Sequence, residues 1–263
     1  MDLGLKDKIA VVAASSSGLG RAAAEALAQE GARLAICSRD ERRIREAGEY
    51  LKEKYRAAVF PGVCDVEDRS SVDIFTKEVI KRFGTVHILF TNAGGPPSGT
   101  IGNFSAKDFE KALNLNLISA INLIYAFLPC MKDQKWGRII ASTSITVKQP
   151  IPTLALSNVS RVGVIAFIKS LSFEVAPFNI TANAVAPGYI MTDRIVQIAA
   201  DKAKNENRSF DDAVSDLEKS IPLGRIGRPD EFGSLVAFLA SERAGYINGE
   251  TILIDGGAYR GLM

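Results

Sequence analysis

Short, continuous apolar runs alternate along this chain with longer segments whose apolar positions recur at helical spacing. Residues 8–14 read as a strand and lead into a serine- and glycine-rich turn. Residues 20–30 are alanine-rich with a mixed polar face and stop at Gly31, which predicts a helix. A second strand follows at 32–38 and a charged surface helix at 40–54. The third strand, 57–64, is interrupted by Pro61 and Gly62. Residues 69–83 are helical and end at Gly84, and 86–90 form a fourth strand before the TNAGG loop. The pattern then predicts one long helix over 105–131, with Ser105 as N-cap and Asp108 in its first turn. A fifth strand at 138–142, an apolar helix at 154–175, a sixth strand at 180–186 and a seventh at 251–255 complete the core. Charged helices at about 191–219 and 229–243 separate the last two strands.

The strands are apolar throughout rather than alternating, so both faces of the sheet must be covered. Strand–helix alternation then means a parallel sheet with helices on both sides. No repeat, low-complexity tract or linker divides the chain. The expectation is a single doubly wound α/β domain of about seven strands over residues 1–263. The helix at 154–175 is apolar around more of its circumference than a one-sided helix needs. Packing against another subunit and cover by the chain's own loops both fit.

Composition narrows the function classes. The 32 Lys and Arg against 30 Asp and Glu leave a net charge of +2, without the concentrated basic face that nucleic acids or anionic membranes require. The single histidine, His87, excludes a multi-histidine metal site, and no metal is expected. Cys37, Cys64 and Cys130 are odd in number and far apart, which fits a reducing compartment. The N-terminal residues resemble neither a signal peptide nor a membrane span, so a soluble cytoplasmic protein is expected.

The chemistry begins at the first turn, where Ala14, Ser15, Ser16, Ser17, Gly18, Leu19 and Gly20 join a strand to a helix. A helix N-terminus presents free N–H groups and a positive dipole end to an anion. Gly18 and Gly20 allow close approach of backbone and phosphate, and the three serines add hydroxyl donors. An ordinary strand–helix turn is the plainer reading, but its place after the first strand of a parallel sheet favours nucleotide binding.

In this context ASSSGLGRAAAEALAQEGA resembles the cofactor motif of the short-chain dehydrogenase/reductase family, whose usual form is TGxxxGxG. Further landmarks of that family follow in order: Cys64-Asp65-Val66, then Thr91-Asn92-Ala93-Gly94, then Asn116 within LNLNLIS. Pro187-Gly188-Tyr189 through Thr192 comes next, and residues 222–257 complete the set. The resemblance spans nearly the whole chain and is strongest to the β-ketoacyl-carrier-protein-reductase-like branch. It implies a Rossmann fold, a nicotinamide cofactor, a small carbonyl or alcohol substrate (3-oxoacyl-like in that branch) and a homodimer or homotetramer. It implies that Gly18, Leu19 and Gly20 wrap the pyrophosphate and that Asp65, beside Val66, binds the adenine. Asn92, Ala93 and Gly94 would line the adenosine side. Thr192, after Pro187 and Gly188, would hold the nicotinamide amide. Ala13 and Ala14 depart from the usual Thr-Gly, and an alanine is strained if the turn needs φ > 0.

Ser38 and Arg39 stand where NAD enzymes usually place a ribose-binding Asp. A guanidinium can bind a 2′-phosphate that a carboxylate would repel, so NADP(H) is favoured over NAD(H). Arg39, Arg42 and Arg43 equally fit a solvated helix start.

The catalytic positions are altered. The family uses Asn, Ser and a YxxxK pair; Asn116 and Ser144 occupy the first two positions. Thirteen residues after Ser144 comes Ser157 in place of the tyrosine, and four further Arg161 in place of the lysine. The spacing is kept, so these are substitutions. An aliphatic hydroxyl is a far weaker acid than a phenol, and arginine does not relay protons. Among the six tyrosines, only Tyr189 lies in a segment matching the family's active site, making it a substitute donor or simply a packed loop residue. Alternatively Ser157 and Arg161 act together, the guanidinium stabilising an oxyanion while water delivers the proton. Lys202, Lys204 and Arg208 lie in the family's substrate-loop region, in a stretch that fits a lid or a solvated surface.

Overall fold

Four consecutive apolar residues leave a strand no wet face, so β1 (Ile9–Val12) belongs at the centre of a sheet. The computed structural model describes residues 2–262. In it β1 is flanked by β2 (Arg33–Ser38) and β4 (Ile88–Thr91). With β3 (Val59–Val63), β5 (Gly137–Ser142), β6 (Ile180–Pro187) and β7 (Thr251–Ile254), they form one parallel sheet. The strand order is β3-β2-β1-β4-β5-β6-β7. Pro61 is tolerated because β3 is an edge strand.

Alternate strand residues feed two cores. On one face Ala10, Val12, Ile36 and Phe90 pack under α1 (Gly18–Gln29), α2 (Glu41–Tyr55) and a C-terminal helix at Pro229–Ala240. On the other, Val11, Ala13, Leu89 and Ile139 pack under α3 (Arg69–Phe83) and two later helices at Ser119–Asp133 and Ala155–Val175. The order reverses between β1 and β4, which opens a crevice beyond the carboxyl ends of the strands.

Two expected helices are not continuous. The stretch 105–131 divides into α4 (Ala106–Leu113), a π-helical turn over Asn114–Ile118 and α5 (Ser119–Asp133). The stretch Ala106–Asp133 is long and apolar enough to cross a membrane by length and composition. Its apolar positions are used inside the fold, with Leu123, Ile124, Phe127 and Met131 fully buried against the sheet. After α6 (Ala155–Val175), the segment 191–219 divides into α7 (Asp193–Glu206) and α8 (Phe210–Lys219). Asn207 breaks it with φ 51, and the Ser209 hydroxyl caps α8 at Asp212 N. These two helices share a small core of their own around Ile195, Ala199, Ala213 and Leu217. Helix α9 (Pro229–Ala240) then seats on α1, where a Cβ on Gly233 would crowd the Ala22 carbonyl.

The apolar excess of α6 is not covered by the chain's loops: Val159, Val162 and Phe173 are exposed, as are Ile118 and Tyr125 beside them.

Two local features carry testable energetics. Ala14 adopts φ 48, the left-handed region the departure from Thr-Gly put in question. Ala14→Gly is expected to raise unfolding stability by about 1 kcal/mol in urea titrations; no gain would mean the strain is absorbed elsewhere. His87 ties β1 to the entry of β4: its Nδ1 accepts the Ile9 N–H at 3.0 Å while its backbone N–H donates to the Ile9 carbonyl at 2.8 Å. Burial, with the Lys8 charge nearby, lowers its pKa from the usual 6.5. The unfolded chain therefore takes up this proton first, and stability is lost as pH falls through that range. Unfolding measured between about pH 7.5 and 5.5 should show this limb, flattened in His87→Gln.

Candidate active site in the crevice

The N-terminus of α1 opens on the crevice without a cap of its own. Ser17, the N-cap, makes no side-chain capping bond, and no acidic residue stands in the first turn. The first-turn N–H groups are thus left for an anion. A Cβ on Gly20 would overlap the Ala14 carbonyl, so only glycine lets α1 start this close to β1. Gly18 takes φ 59 opposite Thr192, the N-cap of α7.

The cavity has a volume of about 560 Å³ and runs from the end of β2 to α6. It is lined by Ser16, Ser17, Gly18 and Leu19 from the first turn, and by Ser38 and Arg39 after β2. Asp65 and Val66 follow β3, and Asn92, Ala93 and Gly94 follow β4. Pro187, Gly188, Tyr189 and Thr192 close it from β6, and Ser144, Ser157 and Arg161 complete it. Three expected residues do not reach it. Ser15 is fully buried and turns inward, its Oγ donating to the Val12 carbonyl at 2.8 Å, so it offers no hydroxyl to a phosphate. Gly20 acts through the close approach just described. Asn116 sits behind α6 on the π-helical turn.

At the nucleotide half, charges are paired. Arg39 lies 3.6 Å from Glu67, and Arg43 lies 3.8 Å from Asp193. Arg39 and Arg43 both line the cavity, whereas Arg42 pairs with Glu46 on the helix surface. All three side chains stay largely exposed, so lining the cavity and a solvated helix start both still fit Arg39 and Arg43. Asp40 caps α2 by accepting from Arg43 N, and the Ser38 hydroxyl donates to the Asp40 carbonyl at 3.1 Å.

At the other half, Ser144 Oγ accepts from Thr146 N at 3.2 Å. Ser157 does not face Ser144 in a hydrogen bond; its hydroxyl shares a 3.3 Å bond with Thr146 Oγ1. Arg161 is nearly buried, and its Nη1 donates to the carbonyls of Ser142 (3.3 Å) and Thr143 (3.1 Å). Burial, with the charge of Arg194 adding, pulls its pKa down to about 10, so it stays charged at neutral pH. Asn116 Nδ2 donates to Ser160 Oγ at 2.8 Å, while its buried Oδ1 has no protein partner among the described residues. Burial pushes the Tyr189 phenol up despite the opposing charge of Lys202, so it is not an activated acid. Lys202 and Arg208 are used within the α7–α8 pair, both pairing with Asp216 at 3.1 and 2.6 Å.

Sequence reasoning missed Thr146 and Arg194. Arg194 follows directly on Thr192-Asp193, but it begins a helix whose other charges face solvent, and nothing local signals that it turns inward.

A doubly wound parallel sheet, with an uncapped helix N-terminus and open glycines at its switch point, defines a protein of the Rossmann class. The chain belongs to the short-chain dehydrogenase/reductase family: residues 13–259 match the family model described as Enoyl-(Acyl carrier protein) reductase. It is similar to 3-oxoacyl-(acyl-carrier-protein) reductase FabG of Haemophilus influenzae, 32% identical over 255 residues, or 97% of this chain and 99% of that one. Its structure is similar to L-sorbose reductase from Gluconobacter frateurii, complexed with NADPH and L-sorbose (TM-score 0.95, 32% identity, all of both chains). It is also similar to an NADPH-bound short chain oxidoreductase from Pseudomonas aeruginosa PAO1 containing an atypical catalytic center (TM-score 0.85, 31% identity, 97% and 99% covered).

The buried charge of Arg161 has a stability consequence. Its pKa is lower in the folded chain than in the unfolded one, so at every pH below about 10 the charge opposes folding. Against this stand two hydrogen bonds worth about 1 kcal/mol each. Arg161→Met is expected to raise the unfolding free energy by roughly 1 kcal/mol in denaturant titrations; a loss of about 2 kcal/mol would show that the carbonyl bonds dominate.

Proposed function

We propose that this protein is an NADP(H)-dependent oxidoreductase of the short-chain dehydrogenase type, acting on a small carbonyl or alcohol substrate such as a 3-oxoacyl compound. The observation that carries the reading is the first-turn cradle: an uncapped α1, with Gly18 and Gly20 clearing its approach. A nicotinamide bound there supplies the hydride. Gly18 and Leu19 hold the pyrophosphate with backbone N–H groups; Asp65, Asn92 and Gly94 flank the adenosine; Arg39 and Arg43 receive the 2′-phosphate. NADPH in the similar oxidoreductases supports this preference.

At the chemical end, Ser144 positions the substrate oxygen and Arg161 stabilises the negative charge that develops on it. The proton comes from water, because Ser157 is engaged with Thr146 and Tyr189 is a weakened acid. Loss of general acid assistance costs about 10²–10⁴-fold in rate, which favours substrates that need little protonation. The engaged Ser157 hydroxyl also supports a second reading, a dinucleotide-binding sensor or partner subunit without turnover. The exposed face of α5 and α6 suits a homodimer or homotetramer, and the three free thiols suit a reducing, cytoplasmic setting.

Fluorescence titration should give a dissociation constant for NADPH about tenfold or more below that for NADH, and Arg39→Asp should reverse the order. Binding of neither at millimolar concentration would overturn the reading. A Cβ on Gly94 meets no protein atom within 4 Å, so Gly94→Val should leave unfolding stability within about 0.5 kcal/mol while blocking the cofactor. NADPH oxidation against carbonyl panels then separates enzyme from sensor.

A further inference from the structure

Two guanidinium groups, Arg161 and Arg194, line the chemical end of the cavity, and among the described residues neither has a carboxylate within 4 Å. Arg161 donates only from Nη1, to two carbonyls, and none of its other nitrogens is sealed from solvent without a partner. The rest of the guanidinium therefore opens on the cavity it lines. Arg194 rises from the first turn of α7, and its Nη2 donates to the Pro96 carbonyl (2.9 Å) and Ser98 Oγ (3.0 Å). That latches α7 to the loop after β4. The Arg194 charge is felt at Arg161, and Asp201 further along α7 offsets only part of the burial at Arg194. The cavity's acidic residues belong to its other half: Asp40 caps α2, Asp65 and Glu67 follow β3, and Asp193 faces Arg43.

A buried charge at Arg161 beside a half-buried like charge at Arg194, neither in an ion pair within 4 Å among the described residues, is unfavourable, and an anion placed between them relieves both. The surrounding wall is apolar, formed by Ile145, Ile151, Leu154, Ile195 and Ile198. We infer that this end of the cavity binds the carboxylate of an oxo acid between Arg161 and Arg194. The apolar body of the acid lies on the isoleucines and its carbonyl oxygen at Ser144. The free side of the Arg161 fork suits the two oxygens of a carboxylate. This deepens the oxidoreductase reading and rests on it for the position of the reacting carbonyl, though not for the anion site itself.

The test uses benzoylformate and phenylpyruvate, each against its methyl ester, titrated into protein saturated with NADPH and followed by cofactor fluorescence. The acids should bind at least about tenfold more tightly than the esters, and Arg194→Gln should close that gap, its NADPH affinity being measured alongside. Equal affinity for acid and ester, or no response to either, in protein that binds NADPH overturns the carboxylate site and leaves the oxidoreductase reading standing. If NADPH does not bind, that reading falls. The acids are then titrated calorimetrically into the cofactor-free protein, where a tenfold preference over the esters still supports the arginine pair as an anion site and its absence overturns it.

Discussion

The Ala14 carbonyl lies against the backbone of Gly20, and that close approach sets where α1 begins. With any side chain at Gly20 the helix would start farther from β1, and its free N–H groups would no longer face the crevice. Ala14 holds its end of the contact in a left-handed conformation that alanine rarely adopts. The other end of the crevice uses the same device: a Cβ on Gly188 would stand 2.8 Å from the Asp255 Cβ. Parallel strands covered on both faces leave only their ends open, so these backbone approaches decide what the protein can hold.

Charge is distributed unevenly along the crevice. At the nucleotide half each lining cation has a carboxylate within 4 Å, Arg39 with Glu67 and Arg43 with Asp193. Such exposed pairs open readily for a phosphate. At the chemical half Arg161 and Arg194 have, among the described residues, carbonyl and hydroxyl acceptors only. In the proposed function, Ser157 and Arg161 in place of a phenol and an ammonium change the kind of catalysis the site favours. On the proposed reading a positioned acid gives way to a fixed positive charge held in a largely buried environment.

The order of elements was legible because each strand is a continuous apolar run ended by Gly, Pro or Ser. Most crevice residues were legible too, since the carboxyl ends of parallel strands converge wherever the order reverses; Ser15, Gly20 and Asn116 do not reach it and Arg194 was missed. Less could be read where one periodicity spans two geometries. The π-helical turn at Asn114–Ile118 keeps the apolar spacing of an ordinary helix, so LNLNLIS gives no local sign of it. The break at Asn207 lies within a charged stretch where neither helix face is strongly marked.

By itself the sequence determined the seven-stranded alternation, the glycine turn and the spacing that places Ser157 and Arg161 where a tyrosine and a lysine are usual. These depend on local pattern and on counting along one helix. Only the tertiary structure decided that Ser15 turns inward, that Ser157 bonds to Thr146, and that Arg194 reaches the loop after β4 and lines the cavity with Arg161. Which polar group loses its water depends on elements far apart in the chain. Arg194 reaches the loop at Pro96 and Ser98 from nearly a hundred residues away, and no local pattern records that meeting.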